Sequence, residues 1–223
     1  MSIQVHTIPT GMGQAHLVDT GSGFLLVDAG LPGCEEKILQ RIRRLGGADL
    51  RLILITHAHL DHYGSAAALR RLTGAPIAIH RADAEDMARG ISQVGAARGR
   101  GRLGKALLPL AQRLLKPEPT AADVLLKDGD ILDEYGPEIT AVHTPGHTTG
   151  SSTFLVGARL AFAGDLVLAN GRPHAQRLYA QDWPRLAESL RHLQSLKPQW
   201  VYCGHGRRPL SGEVLQTLRC HAC

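Results

Sequence analysis

Residues 51–64 read RLILITHAHLDHYG, so three imidazoles and a carboxylate fall within six positions directly behind an apolar run. This segment constrains the fold more than any other. The run Arg51 to Ile55 has the form of a short strand buried on both faces. Burying His57, His59, Asp61 and His62 unpaired at the end of such a strand would be costly. Imidazole nitrogen and carboxylate oxygen are the ligands a borderline cation such as Zn2+ takes, at ~2.0–2.2 Å. On extended chain His57 and His59 point the same way, because side chains alternate with period two. A turn into helix then re-aims Asp61 and His62 toward a second point nearby. The spacing predicts one cation on the first pair and another on the second.

Each pair is short of the roughly four ligands a Zn2+ requires. Three further candidates follow strands and sit beside glycines that let the backbone turn tightly: His147 in TPGHTTGS, Asp165 in AGD and His205 in CGHG. Asp28 in LLVDAG, Thr56 and Thr148 are read as groups that fix imidazole tautomers by hydrogen bonding rather than as ligands. The two threonines read equally well as polar turn residues. His80 is read as capping a following helix and His143 as structural. His6, His16, His192 and His221 have no partner pattern. His174 borders the expected pocket with Arg172 and Arg177.

Short strands are predicted at Ile3–Ile8, His16–Asp19 and Phe24–Asp28, then at Arg51–Ile55 and Ile77–Ile79. Helical spacing marks Cys34–Leu45, Ser65–Leu72 and Ala82–Arg89. In the second half the strands are Val124–Leu126, Ile139–Val142, a hairpin of Thr153–Val156 and Leu160–Ala163, and Trp200–Tyr202. The helices there are Trp183–Leu196, with Leu186, Leu190, Leu193 and Leu196 on one stripe, and Gly212–Leu218. Strands and helices therefore alternate in both halves, an order satisfied by two packed sheets with helices outside. The chain has 223 residues, 43% of them hydrophobic, which excludes disorder and suffices for a core without disulfides. No apolar run approaches the ~20 residues of a membrane span.

One stretch departs in composition. From Met87 to Lys116 there is no acidic residue and seven basic ones, in a chain whose net charge is +5. It reads as a basic helical insertion at about 87–119 within a single domain, 1–223. Leu107, Leu110, Leu114 and Leu115 are predicted to form an apolar face over a cleft, with Pro109 a helix start or kink. The opening residues show no basic start followed by an apolar stretch, and Cys34, Cys203, Cys220 and Cys223 have no disulfide-framework spacing. The terminal C-x-x-C is read as a stray pair. Reduced thiols in the cytoplasm are the expectation.

The H-x-H-x-D-H at His57–His62, then TPGHTTGS, GD and GHG, in this order over nearly the whole chain, resemble the metallo-β-lactamase superfamily; Asp28 matches its early acidic motif. The resemblance implies an α/β fold, an αβ/βα sandwich of two mixed β-sheets flanked by helices, with the metal site at a sheet edge. It implies two Zn2+ per chain, with Mn2+ or Fe2+ as alternatives. His57, His59 and His147 would hold the first, Asp61, His62 and His205 the second, and Asp165 would bridge them. Paired cations lower the pKa of a shared water from 15.7 toward ~7. The hydroxide would attack an ester, thioester or lactone carbonyl of a small molecule, an anionic one among the options, with Asp61 as the catalytic residue orienting it and accepting its proton. Nucleic acid is not an expected partner. The same motifs also fit phosphodiesterases, β-lactamases and mononuclear iron persulfide dioxygenases, the last mapping to His57, His147 and Asp165. The chain runs eighteen residues past His205, without the helical part by which glyoxalase II-like thioesterases grip glutathione. Leu166–Leu168 stand where quorum-sensing lactonases often carry a tyrosine.

Overall fold

The computed structural model describes residues 3–157 and 159–220; His221, Cys223 and the Leu107 side chain lie outside the described residues. The first half runs β1 (Gln4–Thr10), β2 (Gly13–Asp19), β3 (Phe24–Val27), α1 (Glu35–Arg44), β4 (Leu50–Ile55), α2 (Leu60–Tyr63), α3 (Ala66–Thr73), β5 (Ile77–His80), α4 (Ala84–Arg89), β6 (Ala96–Ala97), α5 (Gly101–Leu114) and β7 (Val124–Leu126). The second runs β8 (Ile139–His143), β9 (Ser152–Val156), β10 (Leu160–Phe162), a 3-10 turn (Gly164–Leu166), β11 (Val167–Leu168), β12 (His174–Ala175), β13 (Tyr179–Ala180), α6 (Trp183–Ser195), β14 (Trp200–Tyr202), β15 (Leu210–Ser211) and α7 (Gly212–Thr217).

Two mixed sheets result. One has the order β1-β2-β3-β4-β5-β7 and the other β15-β14-β10-β9-β8. In the first, β1, β2 and β3 pair antiparallel, and β3 to β7 are parallel. Alternation along β3 and β4 shows why these strands are apolar throughout. Leu25, Val27, Leu52 and Leu54 meet Phe154, Val156 and Phe162 of the second sheet. Phe24, Leu26, Ile53 and Ile55 face the other way, onto Ile38 and Ile42 of α1 and Leu69 of α3. Each such buried side chain contributes about 1.5–3 kcal/mol. On the outer face of the second sheet Leu186, Leu190 and Leu193 of α6 cover Ala161 and Val201. The four layers are therefore helix, sheet, sheet, helix, as expected.

Local chemistry accounts for the helix ends. Glu35 and Glu36 open α1 and Arg41, Arg43 and Arg44 close it, complementing its dipole. Asp182 caps α6 by accepting the amide of Arg185 at 3.0 Å. The basic stretch differs from expectation: α5 begins at Gly101 and runs through Pro109 without starting there. Leu103, Leu110 and Leu114 of α5 are 76%, 60% and 73% exposed, so they face solvent rather than a cleft. The chain before α5 is instead tied down by main-chain pairing of β6 with β13 and by the Arg98 guanidinium, 4.2 Å above the Trp183 ring.

Candidate metal centre

β4 delivers Thr56 and His57 at its end; the extended His59 and the single turn of α2 then rotate Asp61 and His62 inward. From the second sheet, His147 comes on the loop between β8 and β9, Asp165 on the 3-10 turn after β10, and His205 on the loop after β14. All seven sequence-predicted residues meet in one place. His59 Nδ1 lies 3.1 Å from His57 Nε2 and 3.0 Å from His147 Nε2. Nitrogens sharing one tetrahedral cation at ~2.0–2.1 Å would sit about 3.3 Å apart. On the other side, Asp61 Oδ2 is 3.8 Å from His62 Nε2 and 3.5 Å from His205 Nε2. Asp165 lies between the groups, with Oδ1 3.4 Å from His62 Nε2 and Oδ2 3.5 Å from His147 Nε2 and 3.2 Å from His205 Nε2.

The hydrogen bonds behind these rings fix every tautomer. A main-chain carbonyl only accepts, so His59 Nε2 donates to Gln93 O, His147 Nδ1 to Tyr179 O and His205 Nδ1 to Met12 O, at 2.8–3.0 Å. His62 Nδ1 donates to Asp28 Oδ2 at 2.8 Å. Thr56 Oγ1 lies within 3.0 Å of both Asp28 oxygens and gives them its one proton, so it accepts from His57 Nδ1. The remaining nitrogen of each of the five rings, as the neutral imidazole, turns a lone pair toward the same space, along with two carboxylates. His62 Nε2 and Asp165 Oδ1 are buried and face each other without forming a hydrogen bond. Lone pairs converging in a dry site repel unless a cation lies among them, so the donor set fits a dinuclear metal centre.

The two groups differ electrostatically. Burial, then the neighbouring His62, His59 and His147 rings, holds His57 well below the ordinary imidazole range. Burial foremost, then His59, lowers His147 to about 4. Burial also opposes charge on His62, but Asp28, Asp61 and Asp165 outweigh it and hold that ring well above its usual range. His205 behaves likewise: Asp165 and Asp61 overcome burial and lift it to about 9. A cation entering the first group meets His57 and His147 as neutral imidazoles, whereas one entering the second displaces protons from His62 and His205.

Sequence reasoning placed Asp28 and Thr56 correctly as supports of His62 and His57. Thr148 differs: its hydroxyl donates to Asp83 Oδ2 at 2.7 Å and contacts Ser151 rather than an imidazole. Asp83 itself was missed. Buried at the start of α4, it accepts the amides of Ala58 at 2.9 Å and Gly150 at 2.6 Å, tying the His57–His62 turn to the His147 loop. An aspartate before a helix reads as an ordinary cap, so nothing in the sequence distinguished it. His80 does not cap α4 with its ring; it stacks on His143 at 4.0 Å and accepts the Ala82 amide. Gly204 is required by close approach, since a Cβ there would lie 2.4 Å from Asp165 Oδ1.

The sequence profile described as the metallo-beta-lactamase superfamily matches residues 8–205. The probable metallo-hydrolase YflN of Bacillus subtilis is 29% identical over 94% of this chain and 86% of its own. The atrochrysone carboxyl ACP thioesterase of Aspergillus fumigatus is 27% identical over 86% of this chain; the chain spans half the length of that relative. Among solved structures, TTHA1623 in a di-iron-bound form superposes with a TM-score of 0.69 at 28% identity, covering 96% of this chain and 97% of that one.

Proposed function

The chain belongs to the metallo-beta-lactamase superfamily and is a metal-dependent hydrolase; from that premise we propose that it hydrolyses the carbonyl of a small ester, thioester or lactone at two divalent cations. The observation carrying this reading is the inward-turned donor set of five imidazoles and two carboxylates, each ring backed by a hydrogen bond that fixes its tautomer. We assign His57, His59 and His147 to one cation, Asp61, His62 and His205 to the other, and Asp165 to both.

Two such cations supply Lewis acidity at the carbonyl oxygen and acidify a shared water toward neutral pH. The chain does the rest. Asp61 orients the attacking water and takes its proton on the carboxylate oxygen turned away from His62 and His205. Asp28 and Thr56 keep His62 and His57 in their tautomers, and Asp83 holds the two ligand-bearing loops at fixed separation. Burial of His57, His62 and His147 keeps bulk water from the inner wall of the site.

Zinc is the metal we assign, on the preference of a nitrogen-rich donor set. Iron is the second reading, favoured by the di-iron form of TTHA1623. A mononuclear iron dioxygenase would engage only His57, His147 and Asp165. It would leave unexplained why Met12 and Asp28 orient His205 and His62 so firmly. We propose a single domain with a basic helical insertion at about 87–119. The cytoplasm is our assignment of compartment, on the free thiols of Cys34 and Cys203. Among the described residues no helix is long and apolar enough to cross a membrane.

The test is metal analysis of the purified protein followed by assay on thioesters, lactones, β-lactams and phosphodiesters. Two zinc ions per chain with turnover of a carbonyl substrate is the expected result. One iron per chain with oxygen consumption, or a fully loaded protein inert to every carbonyl compound, would overturn the reading.

A further inference from the structure

His205 lines a cavity of about 630 Å³, within the roughly 300–1,000 Å³ range of small-ligand sites. Arg207 and Arg208 line it, as do Asn170 and Gln14. Gln14 is more than nine-tenths buried, and its carbonyl oxygen Oε1 has no hydrogen-bond partner. A second cavity of about 290 Å³ shares Pro173 with the first and is lined by Arg172, Arg177 and Arg219. No acidic residue lines either one. Some other arginines are engaged with carboxylates, Arg43 with Glu36, Arg70 with Asp123 and Arg71 with Glu118. The side chains of Arg172, Arg177, Arg207 and Arg208, by contrast, have no hydrogen bond or ion pair with a described residue. Arg219 is oriented by the carbonyls of Gln216 and Leu218.

Five guanidinium groups around two cavities that meet at Pro173, with no acidic residue in either lining, match a ligand bearing more than one phosphate, because their planar donor forks suit phosphate oxygens. The first cavity separates the arginines of the second from His205, so those phosphates lie well beyond the scissile bond, at the end of a spacer. Met12, Pro173 and Leu210 give that spacer an apolar wall. The unsatisfied Gln14 oxygen is positioned to accept an N–H from it.

We propose that this trough binds the phosphorylated thiol half of an acyl thioester whose acyl carbonyl sits at the cation pair. In the reaction the C–S bond breaks, the oxygen of water forms the new C–O bond, and the products are a carboxylic acid and the free thiol. The inference rests on the hydrolase reading above and narrows its substrate class. Exposed arginines at a groove also suit single-stranded RNA, but the small volume of the second cavity, about 290 Å³, favours a compact nucleotide-like end over a continuous strand.

Coenzyme A and adenosine 3′,5′-bisphosphate are titrated calorimetrically into the metal-loaded protein and into the Arg172→Ala/Arg177→Ala and Arg207→Ala/Arg208→Ala variants, with thermal melts to verify folding. Binding to the wild type, weakened about tenfold or more by each double substitution and by rising salt, is the expected result. In kinetics, the KM advantage of an acyl-coenzyme A over the matching S-acyl-N-acetylcysteamine should shrink by a similar factor in both variants. Equal affinity in wild type and folded variants, or tight capture of a short RNA without the nucleotide, would overturn the trough. Nucleotide binding that depends on the arginines, without hydrolysis of any ester, thioester or lactone, would leave the trough standing and remove the hydrolase reading.

Discussion

Replacing Asp28 by asparagine preserves shape while changing what one buried group can accept. The residue has φ 60, a left-handed conformation that asparagine also tolerates, so no backbone strain is added. Its carboxylate takes the Thr56 amide at 2.9 Å and the Thr56 hydroxyl on one side, and His62 Nδ1 at 2.8 Å on the other. An asparagine NH2 placed toward Thr56 sets donor against donor, at a cost of about 1–3 kcal/mol for a buried unsatisfied group. Placed toward His62, it can donate only if that ring moves its proton to Nε2, the nitrogen facing Asp61 and Asp165. Either arrangement weakens the second cation's site. Loss of such an outer hydrogen bond lowers metal affinity about 10–100-fold, or about 1.4–2.7 kcal/mol. Competitive titration against a chromophoric chelator resolves the two affinities, and 15N shifts of the zinc-loaded protein report whether His62 keeps its proton on Nδ1. The affinity resting on Asp61, His62 and His205 should fall by that factor and the other should fall less, because among His57, His59 and His147 only His57 is reached, and only through Thr56. Two undiminished affinities with His62 still protonated at Nδ1 would refute the tautomer argument.

Asp165→Ala should lose both cations and His205→Ala mainly the second, as read by metal content after desalting. Gly204→Ala places a Cβ 2.4 Å from Asp165 Oδ1 and 2.6 Å from His62 Cε1; it should empty the second site at a stability cost of about 1–3 kcal/mol in urea unfolding. Asp83→Ala strands the Ala58 and Gly150 amides together, and a loss of about 2–6 kcal/mol is expected, at about 1–3 kcal/mol for each unsatisfied buried group, with both metal affinities reduced in titration. His16 is fully buried and its pKa is lowered to about 4, chiefly by burial. The unfolded chain therefore binds a proton that the fold refuses between pH 6.5 and about 4. Stability from this group is whole above 6.5 and falls as pH drops through that window, by about 1.4 kcal/mol per pH unit, a slope that His16→Asn should remove from denaturation curves.

Both halves of the fold were legible because their signals are local. Near-continuous apolar runs in Phe24–Val27 and Leu50–Ile55 mark strands buried on two faces, and the Leu186–Leu193 stripe marks a helix on one. Ligand candidates were legible because histidine beside glycine after a strand carries its chemistry in the side chain. What escaped is long-range or made of backbone. The carbonyls of Met12, Gln93 and Tyr179 set three tautomers, yet any residue offers a carbonyl, so no side-chain identity announced them. Asp83 serves loops 25 and 67 residues away in sequence, and only their meeting reveals it. The antiparallel pairing of Ala96–Ala97 with Tyr179–Ala180 is likewise non-local, and two-residue strands have no periodicity to read.

The cluster draws four donors from the turn behind β4 and three from loops of the second sheet. Neither half is a chelator by itself. A chain emerging during synthesis lacks the complete donor set until residue 205 has joined residues 57–62. Once seated, the ions act as rivets across the seam between the sheets, so stripping them should open the molecule there first.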